Sequence, residues 1–323
     1  MANGCGGIDL GGTKIQAVIV DRDHEVLGQA RRPTPTEGGP EDVARAIAQA
    51  LRSAAAPAEL ELAQLGGIGV GSPGVIEGGN VSTARNLPDW EGTFALAEAL
   101  ETELEVSGMP IEIGNDVQVA TDAEFELGAG RPYDSLIGVF WGTGVGAGLI
   151  LDGEPWLGQG GAGEIGHMVV EMDGARCTCG RCGCVEAYAG RAAMEIHARK
   201  LHEKGRHTDL FKLMKEHDRT RLTSGIWERA LNHEDKLAIE LIERAIAALG
   251  AGIASAVNLL DVPAVIIGGG LGVRLGDPYA KRIAAAMQPH LFADDRPPDV
   301  HVAKLGDLGG AIGAALLVEP AGA

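Results

Sequence analysis

Basic residues are scarce in this chain of 323 residues. It carries 27 Lys and Arg against 45 Asp and Glu, which leaves a formal net charge of −18. A surplus of carboxylates repels a phosphate backbone, and the composition therefore argues against DNA or RNA as a partner.

Long apolar runs are missing as well. The longest uncharged stretch, 245–260, contains Ser255, Asn258 and two glycines, and it falls short of the roughly 20 apolar residues that span a bilayer. The first seven residues have neither a basic start nor an apolar run, so no targeting segment is expected. We expect a buried core helix at 245–260, no membrane partner and a cytoplasmic protein.

Cysteines are few, and a Walker phosphate loop is absent. The pattern GxxxxGK[ST] does not occur, so the sequence does not support P-loop chemistry. Four of the five cysteines are crowded between Cys177 and Cys184, which favours metal chemistry in a reducing compartment over a disulfide framework. Apolar residues at 45% and charged residues at 22% are typical of a globular protein, and the length suggests about two domains.

Glycine is abundant, with 49 residues, and three glycine-rich turns follow apolar strands. Without a Cβ, such a turn lets backbone N–H groups approach an anion, and Thr13 and Thr143 add hydroxyl donors. Ordinary hairpin glycines are the alternative interpretation for any single turn. The turns are Gly11-Gly12-Thr13-Lys14, Gly142-Thr143-Gly144-Val145-Gly146 and Gly268-Gly269-Gly270.

The order of the predicted elements indicates an α/β fold. Apolar runs at 8–10, 14–20 and 25–30 predict a three-stranded antiparallel meander, followed by an αβαβα succession with a loop running to about Trp90. A strand from 135, a glycine turn and a return strand from 147 repeat the opening hairpin, so two similar halves facing a cleft are predicted. Further on, we predict a strand at 264–268, a Gly269-Gly270 loop, and a final helix at 310–318 that packs on the first half.

Two aspartates stand at strand ends. Asp9 precedes the first glycine turn, and a carboxylate beside a phosphate nest needs a cation, for which Mg²⁺ is the natural choice. Asp116 follows the strand at 111–113 and could serve as a general base in phosphoryl transfer to a hydroxyl group. The alternatives are an Asp that caps the turn and an Asp that caps a helix.

A histidine and three cysteines give the sharpest metal signal. His167, Cys177, Cys179 and Cys184 form the pattern H-x9-C-x-C-x4-C, which suits tetrahedral Zn²⁺ and leaves no open position, as in a structural site. The spacing leaves Cys182 open as an alternative ligand. Acidic residues bracket this loop, and they could be either surface residues or acceptors for sugar hydroxyls; they are Glu164 and Glu186.

These motifs together resemble the ROK family (repressor, open reading frame, kinase). The resemblance covers about residues 6–318. It is carried by DLGGTK from Asp9, the Asn115-Asp116 pair, EIGH from Glu164 and the run CTCGRCGCVE from Cys177. It implies an actin-like ATPase (ribonuclease H-like) fold with two α/β domains around a cleft. Residues 1–129 with 308–323 would form the small domain, and 130–307 the large domain with the zinc loop.

The resemblance also implies an activity, namely ATP-dependent phosphorylation of a hexose on its 6-hydroxyl, with glucose as the expected substrate in glycolysis. Another hexose or N-acetylhexosamine (fructose, mannose, N-acetylmannosamine or N-acetylglucosamine) and a non-catalytic sugar-binding regulator are the alternatives. A homo-oligomer, either a dimer or a tetramer, is expected.

Site residues follow from the same resemblance. Asp116 would be the catalytic base. The sugar would be bound by Gly74, Asn86, Asn115, Asp116, Glu164, His167 and Glu186, with His167 using one ring nitrogen for zinc and the other for sugar. The nucleotide and its phosphates would be held by Asp9, Gly11, Gly12, Thr13, Lys14, Gly142, Thr143, Gly144, Gly146, Gly268, Gly269 and Gly270.

Overall fold

A computed structural model describes residues 4–84 and 86–318, and its chain divides into two compact units. Unit 1 comprises Met1–Arg131, Pro155–Ala162 and Lys304–Ala323, and unit 2 comprises Pro132–Glu154 and Gly163–Ala303. The predicted domain boundaries at 129/130 and 307/308 stay a prediction.

The strands, in chain order, are β1 (Cys5–Leu10), β2 (Lys14–Val20), β3 (Val26–Pro33), β4 (Ile68–Ser72), β5 (Val75–Glu77), β6 (Asn80–Ser82), β7 (Thr93–Phe94), β8 (Ile111–Asn115), β9 (Leu136–Trp141), β10 (Val145–Leu151), β11 (Glu154–Pro155), β12 (Ala264–Gly268) and β13 (Asp299–Val302). The α-helices are α1 (Gly39–Ala55), α2 (Leu96–Leu104), α3 (Asp116–Glu126), α4 (Val185–Ala189), α5 (Arg191–Glu203), α6 (Leu210–Glu216), α7 (Ser224–Asn232), α8 (Lys236–Leu260), α9 (Gly269–Met287) and α10 (Gly309–Leu316).

Unit 1 is built on a five-stranded sheet in the order β3-β2-β1-β4-β8. The pairs β1–β2 and β2–β3 are antiparallel, which confirms the predicted meander, whereas β1–β4 and β4–β8 are parallel. Strand β2 is buried along almost its whole length because its β-branched side chains meet a helix on each face. Helix α1 supplies one of these layers through Val43, Ile47 and Leu51, which are fully buried.

Helix α10 forms the other layer of unit 1, as predicted for the final helix. It packs on β1, β4 and α3. The approach is so close that a Cβ on Gly7 would lie 2.0 Å from the Ala311 oxygen, and one on Gly69 would lie 1.7 Å from the Ala314 oxygen. Only glycine fits these two sheet positions, which accounts for part of the glycine surplus.

The segment predicted as a loop up to Trp90 contains more structure than expected. Strands β5, β6 and β7 form a small antiparallel sheet there. Strands of two or three residues are too short to show an alternating pattern, so sequence periodicity could not detect them.

Unit 2 repeats the strand order of unit 1. Its sheet runs β11-β10-β9-β12-β13, and the antiparallel β9–β10 hairpin confirms the predicted repeat of the opening hairpin. Two details differ from the prediction. Strand β10 already begins at Val145, so that Gly146 pairs with Phe140 inside the hairpin. The Gly269-Gly270 pair is the first turn of α9 rather than a loop.

The long helix α8 confirms the core helix expected at 245–260. Its N-cap is Asp235, whose side chain accepts a hydrogen bond of 2.8 Å from the Ala238 N–H, and apolar residues recur along its buried face. Among the described residues, no helix combines the length and the apolar character that crossing a bilayer requires.

Candidate active site and metal centre

Three parallel strands of unit 1 bring predicted site residues to one sheet edge. In the β1–β4–β8 register, Asp9 pairs with Gly71, and Gly71 pairs with Gly114. The next residues toward the carboxyl ends are Ser72 and Asn115, which also pair. Ligands of open α/β sheets bind outside the carboxyl ends of the strands, so this edge is the candidate site of unit 1.

Asp9 is a half-buried carboxylate at this edge. A Cβ on Gly310, at the start of α10, would lie 3.0 Å from its carboxyl carbon. Burial raises the pKa of Asp9, while the charges of Lys14 and Arg31 oppose that rise and Asp307 adds to it. A carboxylate that loses hydration in this way gains from a cation, and its hard oxygen atoms fit Mg²⁺.

The first glycine turn joins β1 to β2 directly beside Asp9. The Gly11 N–H donates to the Lys14 oxygen at 2.9 Å, and the Thr34 hydroxyl donates to the Gly11 oxygen at 2.6 Å, which fixes the turn. A Cβ on Gly12 would lie 2.7 Å from the Asn86 oxygen, so the turn and the exposed Asn86 are neighbours. Gly12 and Thr13 are exposed, as a phosphate-binding turn requires.

Asn115 and Asp116 begin α3. The Asn115 Oδ1 accepts hydrogen bonds from the Val117 and Gln118 N–H groups, each at 3.1 Å, so Asn115 is the N-cap. One carboxylate oxygen of Asp116 accepts from the Val117 N–H at 2.9 Å. The helix cap anticipated for Asp116 is thus largely provided by Asn115, and Asp116 is held half-buried at the helix N-terminus.

Two further contacts fix the position of Asp116 and the turn that follows β4. A Cβ on Gly71 would lie 3.4 Å from the Asp116 Cα, so Asp116 stands above the strand that separates it from Asp9. Gly74 has a φ of +103°, and a Cβ there would lie 2.4 Å from the Ser82 oxygen. The structure therefore gathers Asp9, Asn115 and Asp116 at one edge of unit 1.

The predicted metal ligands of unit 2 converge. The ligand atoms of His167, Cys177, Cys179 and Cys184 all lie within 4.8 Å of one another. The sulfurs of Cys179 and Cys184 are 3.7 Å apart, and the Cys177 sulfur lies 3.8 Å from His167 Nδ1. A zinc tetrahedron with bonds of about 2.3 Å has edges of about 3.8 Å, so the donor set fits Zn²⁺. Cys182 is exposed and lies outside this group.

The thiols of this cluster differ in acidity. The backbone N–H of Arg181 lowers the pKa of Cys179 to about 6, whereas burial raises the pKa of Cys184 to about 12. A divalent cation binds the thiolate form, so it would remove the cost of ionising the buried Cys184.

The two ring nitrogens of His167 face different groups. Its Nδ1 faces the cysteine cluster, and its Nε2 lies 3.7 Å from a carboxylate oxygen of Glu164. The Glu164 side chain is 65% exposed, which leaves its oxygens accessible to a ligand. The 3-10 turn Ile165–His167 holds the two side chains at this spacing.

Glu186 connects the cysteine loop to the second glycine turn. One carboxylate oxygen accepts from the Val145 N–H at 3.0 Å, and the other accepts from the Thr178 hydroxyl at 3.3 Å. A Cβ on Gly144 would lie 2.3 Å from the carboxylate. These contacts occupy part of the hydrogen-bonding capacity of Glu186, and each oxygen retains a further lone pair.

The second and third glycine turns meet in unit 2. A Cβ on Gly142 would lie 3.9 Å from the Gly270 nitrogen, and a Cβ on Gly270 would lie 3.4 Å from the Ser224 hydroxyl. Gly269 has a φ of +78° and packs on the Trp141 backbone, so this position requires glycine. The N-termini of α7 and α9 therefore lie close to the exposed Thr143 turn, as in a phosphate site.

Two residues of importance were not identified from the sequence. Arg191, the first residue of α5, donates to the Thr143 hydroxyl at 2.7 Å. Glu124, in α3, is 2% exposed and accepts from three backbone N–H groups. Both residues resemble surface charges of amphipathic helices, and the only available signal was that Arg191 follows the Glu186 motif closely.

Comparison with known proteins agrees with this arrangement. Residues 5–321 match the ROK family. The glucokinase of Thermotoga maritima is 30% identical over 319 residues, which cover 97% of this chain and 96% of the relative. The N-acetylmannosamine kinase of Salmonella typhi is 30% identical over 321 residues, covering 97% of both chains. The structure of a ROK family glucokinase from Streptomyces griseus in complex with glucose and AMPPNP has a TM-score of 0.82 at 29% identity, covering 97% of this chain and 98% of that one.

The fold and the comparisons define a sugar kinase, which is a phosphotransferase. The chain belongs to the ROK family. This membership confirms the predicted α/β fold of the actin-like ATPase class, with mixed sheets in both units.

Proposed function

We propose that the protein is an ATP-dependent hexose kinase that phosphorylates the 6-hydroxyl of glucose, with Asp116 as the general base. The observation that carries this proposal is the placement of Asp116, half-buried at the start of α3 and one strand away from Asp9. A carboxylate at this edge can accept the hydroxyl proton while the oxygen attacks the terminal phosphorus of ATP and the bond to ADP breaks.

The glycine turns provide the phosphate contacts of this proposal. In unit 1, exposed Gly12 and Thr13 border Asp9, and in unit 2 the Thr143 turn meets the N-terminus of α9. Asp9 would supply an oxygen ligand for Mg²⁺, and Lys14 adds a positive charge next to Asp9. The ion, when bound, would neutralise charge on the transferred phosphoryl group. Gly11, Gly146 and Gly268 shape these turns.

The sugar contacts of the proposal are polar side chains around the metal loop and the edge of unit 1. Glu164 is exposed, His167 directs Nε2 toward it, and Glu186 retains acceptor capacity, which suits neighbouring sugar hydroxyls. Zinc on the four converging ligands would act structurally, because a complete tetrahedron leaves no position for a substrate. In unit 1, the proposed contacts are Gly74, Asn86 and Asn115.

The identity of the hexose is the finer part of the proposal. Glucose is favoured by the similarity to the two glucokinases, and the Streptomyces griseus enzyme binds glucose and AMPPNP. An N-acetylmannosamine kinase is equally identical, at 30%, so an N-acetylhexosamine is the second candidate. The free thiols of the metal loop suit a reducing compartment, and we propose the cytoplasm as the location.

A sugar panel tests the substrate. Glucose, mannose, fructose, N-acetylglucosamine and N-acetylmannosamine are incubated with ATP and Mg²⁺, and the product is assigned by phosphorus NMR. Glucose 6-phosphate is expected, with the highest kcat/KM for glucose. A higher kcat/KM for an N-acetylhexosamine would show that this sugar, and not glucose, is the preferred substrate. A product phosphorylated on another hydroxyl would overturn the 6-hydroxyl assignment.

Replacing the base tests the mechanism. Asp116→Asn should lower kcat by about 10²–10⁴-fold, the usual contribution of a general base, while calorimetry shows sugar affinity within about tenfold of the wild type. Asp23→Asn, in an exposed turn, is the matched control and should leave kcat unchanged. A near-normal kcat in Asp116→Asn would show that Asp116 is not the base.

A further inference from the structure

The peptide groups of the Thr143 turn have a fixed direction. The Arg191 N–H donates to the Gly142 oxygen at 3.1 Å, and the Ala192 N–H donates to the Thr143 oxygen at 3.0 Å. In a trans peptide the N–H points opposite to the C=O. The N–H groups of Thr143 and Gly144 are therefore directed away from α5, and two adjacent N–H groups of this kind form an anion-binding nest.

The Arg191 guanidinium fixes the hydroxyl of the same turn. Its Nη2 donates to the Thr143 Oγ1 at 2.7 Å, and its Nη1 donates to the Leu222 oxygen at 2.9 Å. Because the Thr143 hydroxyl oxygen accepts from Arg191, the hydroxyl hydrogen must point away from Arg191. The exposed hydroxyl can therefore donate to a ligand. Three donors of the turn, two amides and one hydroxyl, are thus set by contacts with α5.

Arg191 also carries a positive charge that protein groups only partly satisfy. Burial lowers its pKa, the Glu195 carboxylate counteracts this effect, and Arg221 adds repulsion. Its buried Nε has no hydrogen-bond partner among the described residues. A half-buried cation whose Nε has no hydrogen-bond partner in the described part of the chain gains from an anion held nearby at the turn.

From this geometry we infer that Arg191 is a positioning residue for the phosphate chain of a nucleoside triphosphate, acting through the Thr143 hydroxyl. The inference rests on the proposed kinase function and adds to it a residue that sets nucleotide affinity rather than sugar affinity. Arg191 of α5 and Glu186 contact different ends of the same turn, because Glu186 accepts from the Val145 N–H.

The test compares ligands that share a nucleoside but differ in phosphate. Calorimetry measures AMPPNP, ADP and adenosine on the full chain. Arg191→Met should weaken AMPPNP and ADP binding by about tenfold to a hundredfold, the usual effect of losing a hydrogen bond to a charged group. Adenosine affinity and sugar KM should stay unchanged. Arg206→Met is the matched control, since Arg206 pairs with Glu240 at 2.8 Å away from the turn, and it should bind all three ligands as the wild type does.

A double-mutant cycle separates positioning from simple loss of charge. Thr143→Val should weaken AMPPNP binding to a similar extent, and the double variant should lose less than the product of the two single effects. Independent, multiplicative losses would overturn an action of Arg191 through Thr143. An equal loss of adenosine and ADP binding would indicate a collapsed turn and would also overturn the inference, as would unchanged ADP binding.

Arg191→Lys replaces Arg191→Met in the binding test if Arg191→Met fails to fold. Lysine keeps the charge but lacks the planar fork whose two nitrogens reach Thr143 and Leu222 separately, so ADP binding should still weaken relative to adenosine; unchanged ADP binding would overturn the inference. Sugar phosphorylation by the wild type together with unchanged ADP affinity in the Arg191 variants would overturn this inference and leave the kinase function intact. Absence of nucleotide binding by the wild type would overturn both.

Discussion

The carboxylate of Glu124 accepts a hydrogen bond of 2.7 Å from the backbone N–H of Leu305, which lies 181 residues further along the chain. The other carboxylate oxygen accepts from the N–H groups of Ala129 and Lys304, each at 2.9 Å. One buried side chain thus holds two segments that lie next to places where the chain passes from one unit to the other, at 131/132 and 303/304.

Replacement of this carboxylate should destabilise unit 1. In Glu124→Gln, an NH₂ group would face an N–H donor in place of an oxygen, so the free energy of unfolding should fall by about 2–4 kcal/mol. Urea denaturation measures the change. Glu112→Gln, on an exposed position of β8, is the control and should shift the free energy by less than about 0.5 kcal/mol. Equal stability of both variants would show that the Glu124 contacts contribute little.

Asp122 should make stability depend on pH. Burial raises its pKa to about 7, the Gln118 side chain opposes this through a 2.6 Å hydrogen bond, and Glu126 adds repulsion. The unfolded residue has a pKa of about 3.9, so between about pH 4 and 7 the folded state binds the extra proton. The free energy of unfolding should therefore fall as pH rises from about 4 to 7 and level off at higher pH.

Asp122→Asn removes this titration. The neutral amide can still accept from Gln118 through its oxygen, so the variant should unfold at a higher temperature than the wild type at pH 8 and at a similar temperature at pH 4. Thermal unfolding at a series of pH values measures the difference. A constant difference across the series would contradict the elevated pKa.

Zinc content should depend on three of the four loop cysteines. Cys179→Ser removes a converging ligand and should lower zinc stoichiometry and then sugar affinity, because the loop that carries Glu164 and Glu186 loses its support. Cys182→Ser, outside the cluster, is the control and should retain one zinc per chain by mass spectrometry. Loss of zinc from the Cys182 variant would show that Cys182 is a ligand. Unchanged sugar affinity in the zinc-free protein would refute the structural role of zinc.

The hydroxyl of Tyr188 should strengthen zinc binding. It donates to Glu171 and accepts from the Ala175 N–H at 2.6 Å, two residues before Cys177. Tyr188→Phe removes both hydrogen bonds, and zinc affinity should fall about tenfold or more, measured by competition with a chelator. Tyr279→Phe, whose ring still stacks with Arg282, should leave zinc affinity unchanged. Equal affinities in the two variants would exclude this support.

The sequence predicted those parts of the fold whose patterns are local. The β1–β2 hairpin combines β-branched runs with a glycine turn. The spacing of His167, Cys177, Cys179 and Cys184 predicted a cluster, and the structure brings these four side chains together. Glycine misled the prediction at Gly269, because a glycine after a strand suggests a loop whereas here it begins a helix at positive φ. Strands as short as β7 left no periodicity to detect.

The remaining site features depend on contacts between distant residues. Glu124 lies in a helix whose acidic residues resemble solvated surface charges, and its burial depends on the return of the chain at Lys304 and Leu305. Arg191 is similar, because its role depends on Thr143, 48 residues earlier. Pairings of this kind are set by tertiary structure, for which a single sequence holds no signal.

The position of α10 in the chain constrains how the protein is made. This helix covers Val18 and Val20 on β2 through Ala311, Ile312 and Ala315, yet it is translated only after all of unit 2. Unit 2 can therefore fold on the ribosome before α10 is available to pack on that face of the first sheet. The core of unit 1 can therefore be completed only after all of unit 2 has been translated.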